Sequence, residues 1–525
     1  MTKLRILGIF LLHKRMMMEQ TPPDQRSEER FTPPPSSHSG QTRIESASVL
    51  RNSILLVGFH ILTKSLAFIS FILLADYLGT QLFGVYNYAF ALTALFIPLC
   101  DLGMDTYLMR EVPRLSPQDV PRQLGSVLAW KGLLTFVVFL VISLTGGILD
   151  VFGTERFFIV VLAGLITLLR TYWTTFANFF RAIDRVGFET GMLSLARVAE
   201  FAVILTAIVL DAGLLSLLSV MTIVNILFVS ATHVLVRTKF TRPIMVSEFA
   251  HMIGVFRGGL PFALVTIFSA IYFNFDTVLI SKFVGDESAG IYRAAYNLVF
   301  PLTMFGLAIA GAVFPFASQN YRSQPQEVEN VIRRSVTQLW MISLPIAIAT
   351  SMFANEIVQL LFPPEFSDAA ICLAILVWFL PVVYLTNLYS NTLGAIDRQG
   401  YVLWITVLSA AFNVGANVVL VPRYAQVGAS VVTVMTSLLA FTFLFIKMRR
   451  TLRAAVPFGA LLRITAAGVF MIPLLFIRSH VHVLLLLTIS IAVYFCSLLL
   501  LRALNLRDLR SLVSSLRSPG GFQEL

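Results

Sequence analysis

Among the charged side chains inside, or at the ends of, otherwise apolar runs, seven stand out. Lys64, Arg170, Arg197, Arg257 and Arg293 are cations, and Glu200 and Asp276 are carboxylates. An ionisable group surrounded by hydrocarbon is costly, so each is a candidate for function. Lys64 lies ~20 Å into its run by helical rise, near the middle, and Arg170 is similarly deep in another. His60 is one turn from Lys64 on the same helical face. A lysine attracts a phosphate-like anion as a point charge, and an arginine can bind two of its oxygens at once. The alternative is that each cation pairs with a carboxylate and pins helices together. Arg197 and Glu200, three residues apart, can form such a pair, and Glu200 could instead carry a coupling proton. Asp276 can meet Lys282 or Arg293, as a gate residue or a helix-end charge. Arg257 either reaches inward or snorkels to the headgroups. Lys64, Arg170, Arg197 and Arg257 are therefore the candidate binding cations; Glu200, Asp276 and Arg293 are the candidates for coupling or gating.

The elements that hold these groups follow from composition. The chain has 525 residues, 57% hydrophobic and only 13% charged, with mean hydropathy +0.81. A soluble domain carries about 25% charge, so a soluble fold is excluded. Runs near ~20 residues are long enough to cross a bilayer as helices. They are continuous rather than alternating, which excludes a barrel. Fourteen such spans can be placed: 52–75, 84–105, 124–146, 157–180, 190–210, 214–236, 259–281, 291–315, 336–361, 369–393, 402–421, 428–446, 458–477 and 481–501. The expected fold is an all-α polytopic membrane protein.

Charge tests this map. Even-to-odd connections hold seventeen Lys and Arg, whereas odd-to-even connections hold Arg156, Lys282, Arg423 and Arg478. By the positive-inside rule both termini are cytoplasmic. The net charge of +11 thus reports orientation, and no nucleic-acid partner is expected. Residues 1–48, with Pro33-Pro34-Pro35, read as a disordered cytoplasmic arm. Cys100, Cys372 and Cys496 are far apart, show no metal or disulfide spacing, and read as packing residues.

Two matches reveal an internal repeat. Leu78-Gly79, Gly84-Val85-Tyr86, Ala89 and Leu92 align with Val284-Gly285, Gly290-Ile291-Tyr292, Ala295 and Leu298 at an offset of 206. Asn178, Ala182-Ile183-Asp184-Arg185 and Gly187 align with Asn391, Ala395-Ile396-Asp397-Arg398 and Gly400 at an offset of 213. Each match spans six helices, an even number, so the copies face the same way. The expected organisation is an N-lobe at 49–236, a cytoplasmic linker at 237–258, a C-lobe at 259–447, two further spans at 448–503 and a cytoplasmic tail at 504–525. The four glycines read as tight turns, and Tyr86 and Tyr292 as interfacial aromatics.

With Leu78 to Tyr86, Asp101-Leu102-Gly103, Asp276-Thr277-Val278-Leu279-Ile280, Gly290-Ile291-Tyr292 and Ala295 in this order, the chain resembles polysaccharide-biosynthesis (O-antigen-type) flippases. These belong to the multidrug/oligosaccharidyl-lipid/polysaccharide transporter superfamily, and the resemblance covers roughly residues 50–450. It implies alternating access in the cytoplasmic membrane, with a polyprenyl-linked anionic oligosaccharide as cargo and no cofactor. It also implies membrane lipids, a polysaccharide polymerase or glycosyltransferases as partners, and H+ or Na+ coupling. Two other readings compete. A drug/cation antiporter of the same superfamily requires a cavity dominated by carboxylates. A membrane enzyme of lipid-linked glycan polymerisation requires a large outer loop with clustered Arg, Asp or His, and every outer loop here is short. Gly58 to Ser65 imitates a P-loop but lacks its second glycine and its strand–loop–helix context. His480 and His482 are a lone pair, so neither a metal nor an enzymatic site is expected.

Overall fold

The computed structural model describes the backbone of residues 41–244, 249–452, 457–477 and 482–503, and their side chains outside 41–58, 60–61, 249–262 and 475–477. Residues 1–55 and 56–525 are separate units, and the packing described below is that of the second. Among the described residues the regular elements are all helical. They are α1 (Gln41–Asp101), α2 (Met104–Glu111), α3 (Val120–Asp150), α4 (Glu155–Ala182), α5 (Val186–Val209), α6 (Leu214–Lys239), α7 (Phe249–Phe283) and α8 (Asp286–Val299). Then come α9 (Thr303–Asn320), α10 (Pro325–Met352), α11 (Ala354–Leu361), α12 (Ala369–Leu376), α13 (Phe379–Ala395), α14 (Gln399–Leu452), α15 (Phe458–Val469) and α16 (Val483–Leu500). Helix α1 begins ahead of the expected boundary at residue 48, because no Pro or Gly interrupts the chain between Gln41 and Ser53. Residues 1–40 of the expected arm and the tail from 504 lie outside the described residues.

Among the described residues, eleven helical segments are long and apolar enough to cross a membrane. Two contain a break: α1 at Gly79 (φ 63°) and α14 at Ala425 (φ 49°). Dividing these and adding the shorter apolar segment Phe458–Leu474 gives a layout compatible with the expected count of about fourteen. Helix α3 shows what such a pass requires on its outside. Leu133, Phe136, Leu140, Leu144 and Ile148 are all exposed, and their three- and four-residue spacing makes one apolar stripe turned away from the bundle. Lipid is the solvent that stripe fits.

The passes form two six-helix lobes with the last two appended. Helix α4 packs against α3, α5 and α6 in the N-lobe, and α13 packs against α9, α10 and α14 in the C-lobe. These are the fourth passes of their lobes and the most buried, at 50% and 61% of their apolar windows. Helices α15 and α16 pack on α10 and on each other. Pro98, Pro315 and Pro345 lie within helices, and Pro301 within the 3-10 turn between α8 and α9.

The repeat is visible in the backbone itself. Asp184 and Asp397 both take a left-handed conformation (φ 57° and 60°). Each is followed by an arginine whose N–H closes onto a carbonyl five residues back, Arg185 to Phe180 and Arg398 to Leu393, both at 2.8 Å. This is the helix-ending arrangement in which the last free carbonyls find donors, and Asp tolerates the left-handed residue better than most. Gly79 and Gly285 also have positive φ (63° and 137°), as turns require.

Gly84 and Gly290 do not serve as turns. They are where the lobes touch. A Cβ on Gly84 would lie 1.8 Å from the carbonyl oxygen of Asp286, and one on Gly290 would lie 2.3 Å from that of Thr80. Tyr292 likewise is not an interfacial residue: it is fully buried, whereas Tyr86 is partly buried against the core, stacked on Phe83 and tilted against Phe90. Spacing marks a repeat without saying whether a small residue serves φ or contact.

Gly84→Val and Gly290→Val should each lower the thermal unfolding midpoint in detergent, by the roughly 1–3 kcal/mol typical of overpacking. Gly415→Ala, where a Cβ meets nothing within 4 Å, should not.

Candidate functional site

Between the lobes lies a cavity of about 370 Å³. The N-lobe lines it with Asn87, Phe90, Ala91, Ala94 and Ile97 of α1 and with Thr167, Arg170, Thr171 and Thr174 of α4. The C-lobe contributes Asn274 of α7 and Arg293 and Asn297 of α8. Asn87 and Arg293 are equivalent at the repeat offset of 206, as are Ala91 and Asn297, so duplicated positions face one another across the space. Two arginines, one from each lobe, join a lining of amides and hydroxyls, and none of these lining residues is acidic.

Each arginine is held from behind. Arg170 donates from Nε (2.9 Å) and Nη2 (2.5 Å) to Oε1 of Glu200, while Arg197 Nη1 donates to Oε2 at 3.0 Å. The Arg170 guanidinium also lies 5.6 Å from the centre of the Phe90 ring. Glu200 is buried, so a partner is obligatory. The expected Arg197–Glu200 pair exists, but Glu200 also anchors α4 to α5 through Arg170. Arg293 is held by neutral groups: Nε donates to Thr277 Oγ1 at 2.6 Å and Nη2 to Asn274 Oδ1 at 3.1 Å. Asp276 does not meet Arg293 directly. It is buried and accepts hydrogen bonds from the Tyr292 hydroxyl and from the Thr277 N–H (2.7 Å) and hydroxyl (3.3 Å). Thr277 therefore stands between the two charges, accepting from one and donating to the other.

The remaining candidates sit elsewhere. Lys64 is on an exposed part of α1, not in the cavity lining, and makes no ion pair among the described residues. The side chains of Arg257 and His60 lie outside the described residues.

Two charge clusters were not foreseen. At the Gly79–Gly285 end, four ions join the lobes. Arg156 donates to both oxygens of Asp286 (2.5 and 2.9 Å) and to Ser281 Oγ (2.8 Å). Its Nε also lies 2.7 Å from Asp150 Oδ1, a charge contact rather than an aligned hydrogen bond. Lys282 meets Asp150 from the other lobe, and Tyr88 donates to Asp150 at 2.7 Å while its ring faces both Arg156 and Lys282. The signal available was scarcity: on a surface with few cations, two of them had acids within reach in sequence. The second cluster surrounds Lys131, which is completely buried in α3. It donates to Thr175 Oγ1 (2.5 Å) and Asp105 (2.9 Å) and lies 3.4 Å from Asp101. Thr175 in turn donates to Asp105 at 2.7 Å. Asp101 also accepts the N–H groups of Gly103 and Asp105, where the chain turns through positive φ at Leu102 and Gly103. A lysine within an apolar run, with two acids four apart in the preceding segment, was the signal.

Comparison with known proteins follows from this geometry. Residues 49–321 match the family described as polysaccharide biosynthesis protein, and residues 261–419 match MatE. A probable low-salt glycan biosynthesis flippase of Haloferax volcanii, Agl15, is 28% identical over 162 residues, which is 31% of this chain and 34% of that protein. The probable flippase AglR of the same organism is 24% identical over 166 residues, again 31% and 34%. The matched region is thus about a third of the length of each of these curated relatives. Among solved structures, the lipid II flippase MurJ in an inward closed conformation superposes with a TM-score of 0.72 at 12% identity, covering 87% of this chain and 99% of that one. An inward-facing multidrug resistance MATE transporter gives 0.56 at 16% identity, covering 75% and 99%. At such identities the likeness is one of fold.

Arg156→Asp should increase maleimide labelling of a cysteine placed at Thr80, in a background without other cysteines, by opening the inter-lobe contact. Adding Asp286→Arg should reverse that increase, because the pair is re-formed with its charges exchanged. Lys131→Met should destabilise the protein by about 3–5 kcal/mol in thermal unfolding, the cost of leaving a buried charge without its partner. Asp105→Leu added to it should recover most of the loss.

Proposed function

This chain belongs to the polysaccharide biosynthesis protein family, and from that premise we propose that it moves a polyprenyl-linked anionic oligosaccharide across the cytoplasmic membrane. It is read as a transporter rather than an enzyme. The observation that carries this is the cavity: two lobes each supply one arginine, together with three asparagines and three threonines, and no carboxylate lines it among the described residues. An anionic phosphate is matched by guanidinium groups, and sugar hydroxyls are matched by amide and hydroxyl side chains that both donate and accept. The same polarity disfavours a cation antiporter, which needs acidic groups where the cargo sits. One relative named a probable glycan biosynthesis flippase and another named a probable flippase support the substrate class.

In this reading the lobes rock about the cavity. The ionic contact among Asp150, Arg156, Lys282 and Asp286 closes the Gly79–Gly285 end, which the distribution of Lys and Arg assigns to the outside, with both termini cytoplasmic. The structure is then the outward-closed state. Arg170 and Arg293 contact the anion. Lys64, exposed on the first pass, and Arg257 act on the path of entry. Asp276 is the coupling carboxylate: it is buried and forms no ion pair within 4.0 Å among the described residues, so its charge is free to be matched by H+ or Na+. Glu200, engaged by two arginines, is not. A polymerase or glycosyltransferases act on the same lipid-linked glycan before or after it crosses.

Reconstitution into vesicles with lipid-linked oligosaccharide should give protein-dependent translocation; rates equal to protein-free vesicles across several anionic substrates would overturn the reading. Arg170→Ala and Arg293→Ala should each reduce the rate at least tenfold, on the scale of about 1.5–3 kcal/mol for a charged hydrogen bond. A Lys64→Ala variant that transports at the normal rate would remove Lys64 from the mechanism.

A further inference from the structure

We infer that the charge the N-lobe presents to the cavity is set by Arg197 and Glu200, which makes them specificity-determining residues although neither lines the cavity. The inference rests on the anion-handling reading above. Its basis is the difference between the two guanidiniums. Arg293 is held directly by Thr277 and Asn274, both neutral, and the Asp276 carboxylate stands one hydroxyl further back, so its positive charge is only partly offset. Arg170 is held by a carboxylate through two of its nitrogens. An ion pair that close carries no net charge, and its field on a cavity ligand is much weaker than that of a lone arginine, because the two charges partly cancel. Taken alone, Arg170 and Glu200 would leave the N-lobe side of the cavity almost without charge.

Arg197 removes that deficit. It donates to the other oxygen of Glu200 at 3.0 Å, is itself 44% exposed, and is absent from the cavity lining. Arg170, Glu200 and Arg197 together carry one net positive charge. Arg170 keeps its orientation from Glu200, and the group keeps its charge from Arg197. Orientation and charge are thus assigned to different residues, and changing one need not change the other.

A purely structural triad and a charge-setting triad differ in sign. If the three residues merely pin α4 to α5, weakening either link should harm transport of every substrate alike. If they set charge, Arg197→Gln lowers the net charge to about zero, while Glu200→Gln raises it to two and still offers Arg170 an acceptor oxygen. The two variants should then move anion preference in opposite directions.

The test uses the full chain in proteoliposomes. The substrates are a polyprenyl monophosphate-linked and a polyprenyl diphosphate-linked oligosaccharide with the same neutral sugars, and a monophosphate-linked one carrying a uronic acid. The readout is the ratio of apparent KM between the singly charged substrate and each more charged one. Arg197→Gln should reduce the wild-type ratio, and Glu200→Gln should increase it, by roughly three- to tenfold for one unit charge across the cavity. Arg197→Lys should keep the wild-type ratio. The arm in which the shifts occur identifies the group that occupies the site, the lipid phosphate or a sugar carboxylate. Shifts in the same direction for Arg197→Gln and Glu200→Gln, or an Arg197→Lys ratio like that of Arg197→Gln, would overturn the inference and leave the anion-handling reading intact. A wild-type protein with no preference in either arm would overturn that reading itself.

Discussion

An unpaired charge inside a lipid-embedded bundle costs more than any other local defect, and the arrangement of this protein follows from avoiding it. Lys131, completely buried, has two aspartates and a threonine. Glu200 has two arginines, and Asp150 and Asp286 each have a cation from the opposite lobe. These pairings settle which passes stand side by side. The Lys131 cluster joins α3 to α4 and to the turn after α1. Glu200 joins α5 to α4, and the Asp150–Lys282 and Arg156–Asp286 contacts join the two lobes. A buried pair contributes little net stability once desolvation is counted. Its value here is positional, since a wrong register would leave a charge exposed to hydrocarbon.

On that ionic frame the backbone supplies symmetry. The same left-handed Asp ends the fourth pass of each lobe, and the same positive-φ Gly follows the first pass of each. The second glycine of each motif lets the two copies approach until only hydrogen fits between them. The motif therefore does two things, a turn and a contact, and the contact lies beside the Arg156–Asp286 pair. Shape and charge close the same end of the molecule. Separating the lobes there would expose the glycine surfaces and break the cross-lobe pairs. Arg156 would still have Asp150 of its own lobe, and Asp286 would still have Ser281. An open arrangement would thus not be left with bare ions at those two positions, as the proposed rocking of the lobes requires.

Much of this was legible in the sequence, for physical reasons that also mark the limit. Span number and the repeat are encoded in long apolar runs and in Gly, Asp and Arg at fixed offsets, features that a single chain displays without knowledge of its neighbours. Arg170, Arg293 and the Arg197–Glu200 pair were visible because a charge in an apolar run is conspicuous. Which face each one takes is not encoded locally. Lys64 and Arg170 share the same depth and lobe, yet Arg170 lines the cavity and Lys64 does not. The difference lies in which pass faces the cavity: four residues of the fourth pass line it and no described residue of the first does, an arrangement set by packing across the bundle. Tyr292 looked like an interfacial aromatic because it follows a turn, but its hydroxyl is needed by Asp276 on the preceding helix. Lys131 is equally conspicuous as a lysine in an apolar run, but its partners, Asp101 and Asp105, belong to a different segment, and only the fold shows that they converge.

The duplicated scaffold carries chemistry that is not duplicated, and this is where function enters. At the offset of 206, Arg293 corresponds to Asn87; at the offset of 213, Arg170 corresponds to Val383 and Glu200 to Asn413. Each lobe thus places one arginine at the cavity, but from a non-equivalent helix, α4 in one and α8 in the other. Two arginines at equivalent positions would be related by the pseudo-symmetry axis. Any cargo between them would meet the same groups from both sides, although a lipid-linked glycan has no such symmetry. Non-equivalent placement removes that restriction. It gives the cavity two cationic points of different character, one backed by a carboxylate and one by neutral groups. A ligand with a phosphate at one end and sugars beyond it has two unlike ends to place, and the asymmetry supplies unlike sites. In the proposed mechanism, rocking two similar lobes requires a symmetric frame, whereas orienting an asymmetric cargo requires that symmetry to fail at the cavity.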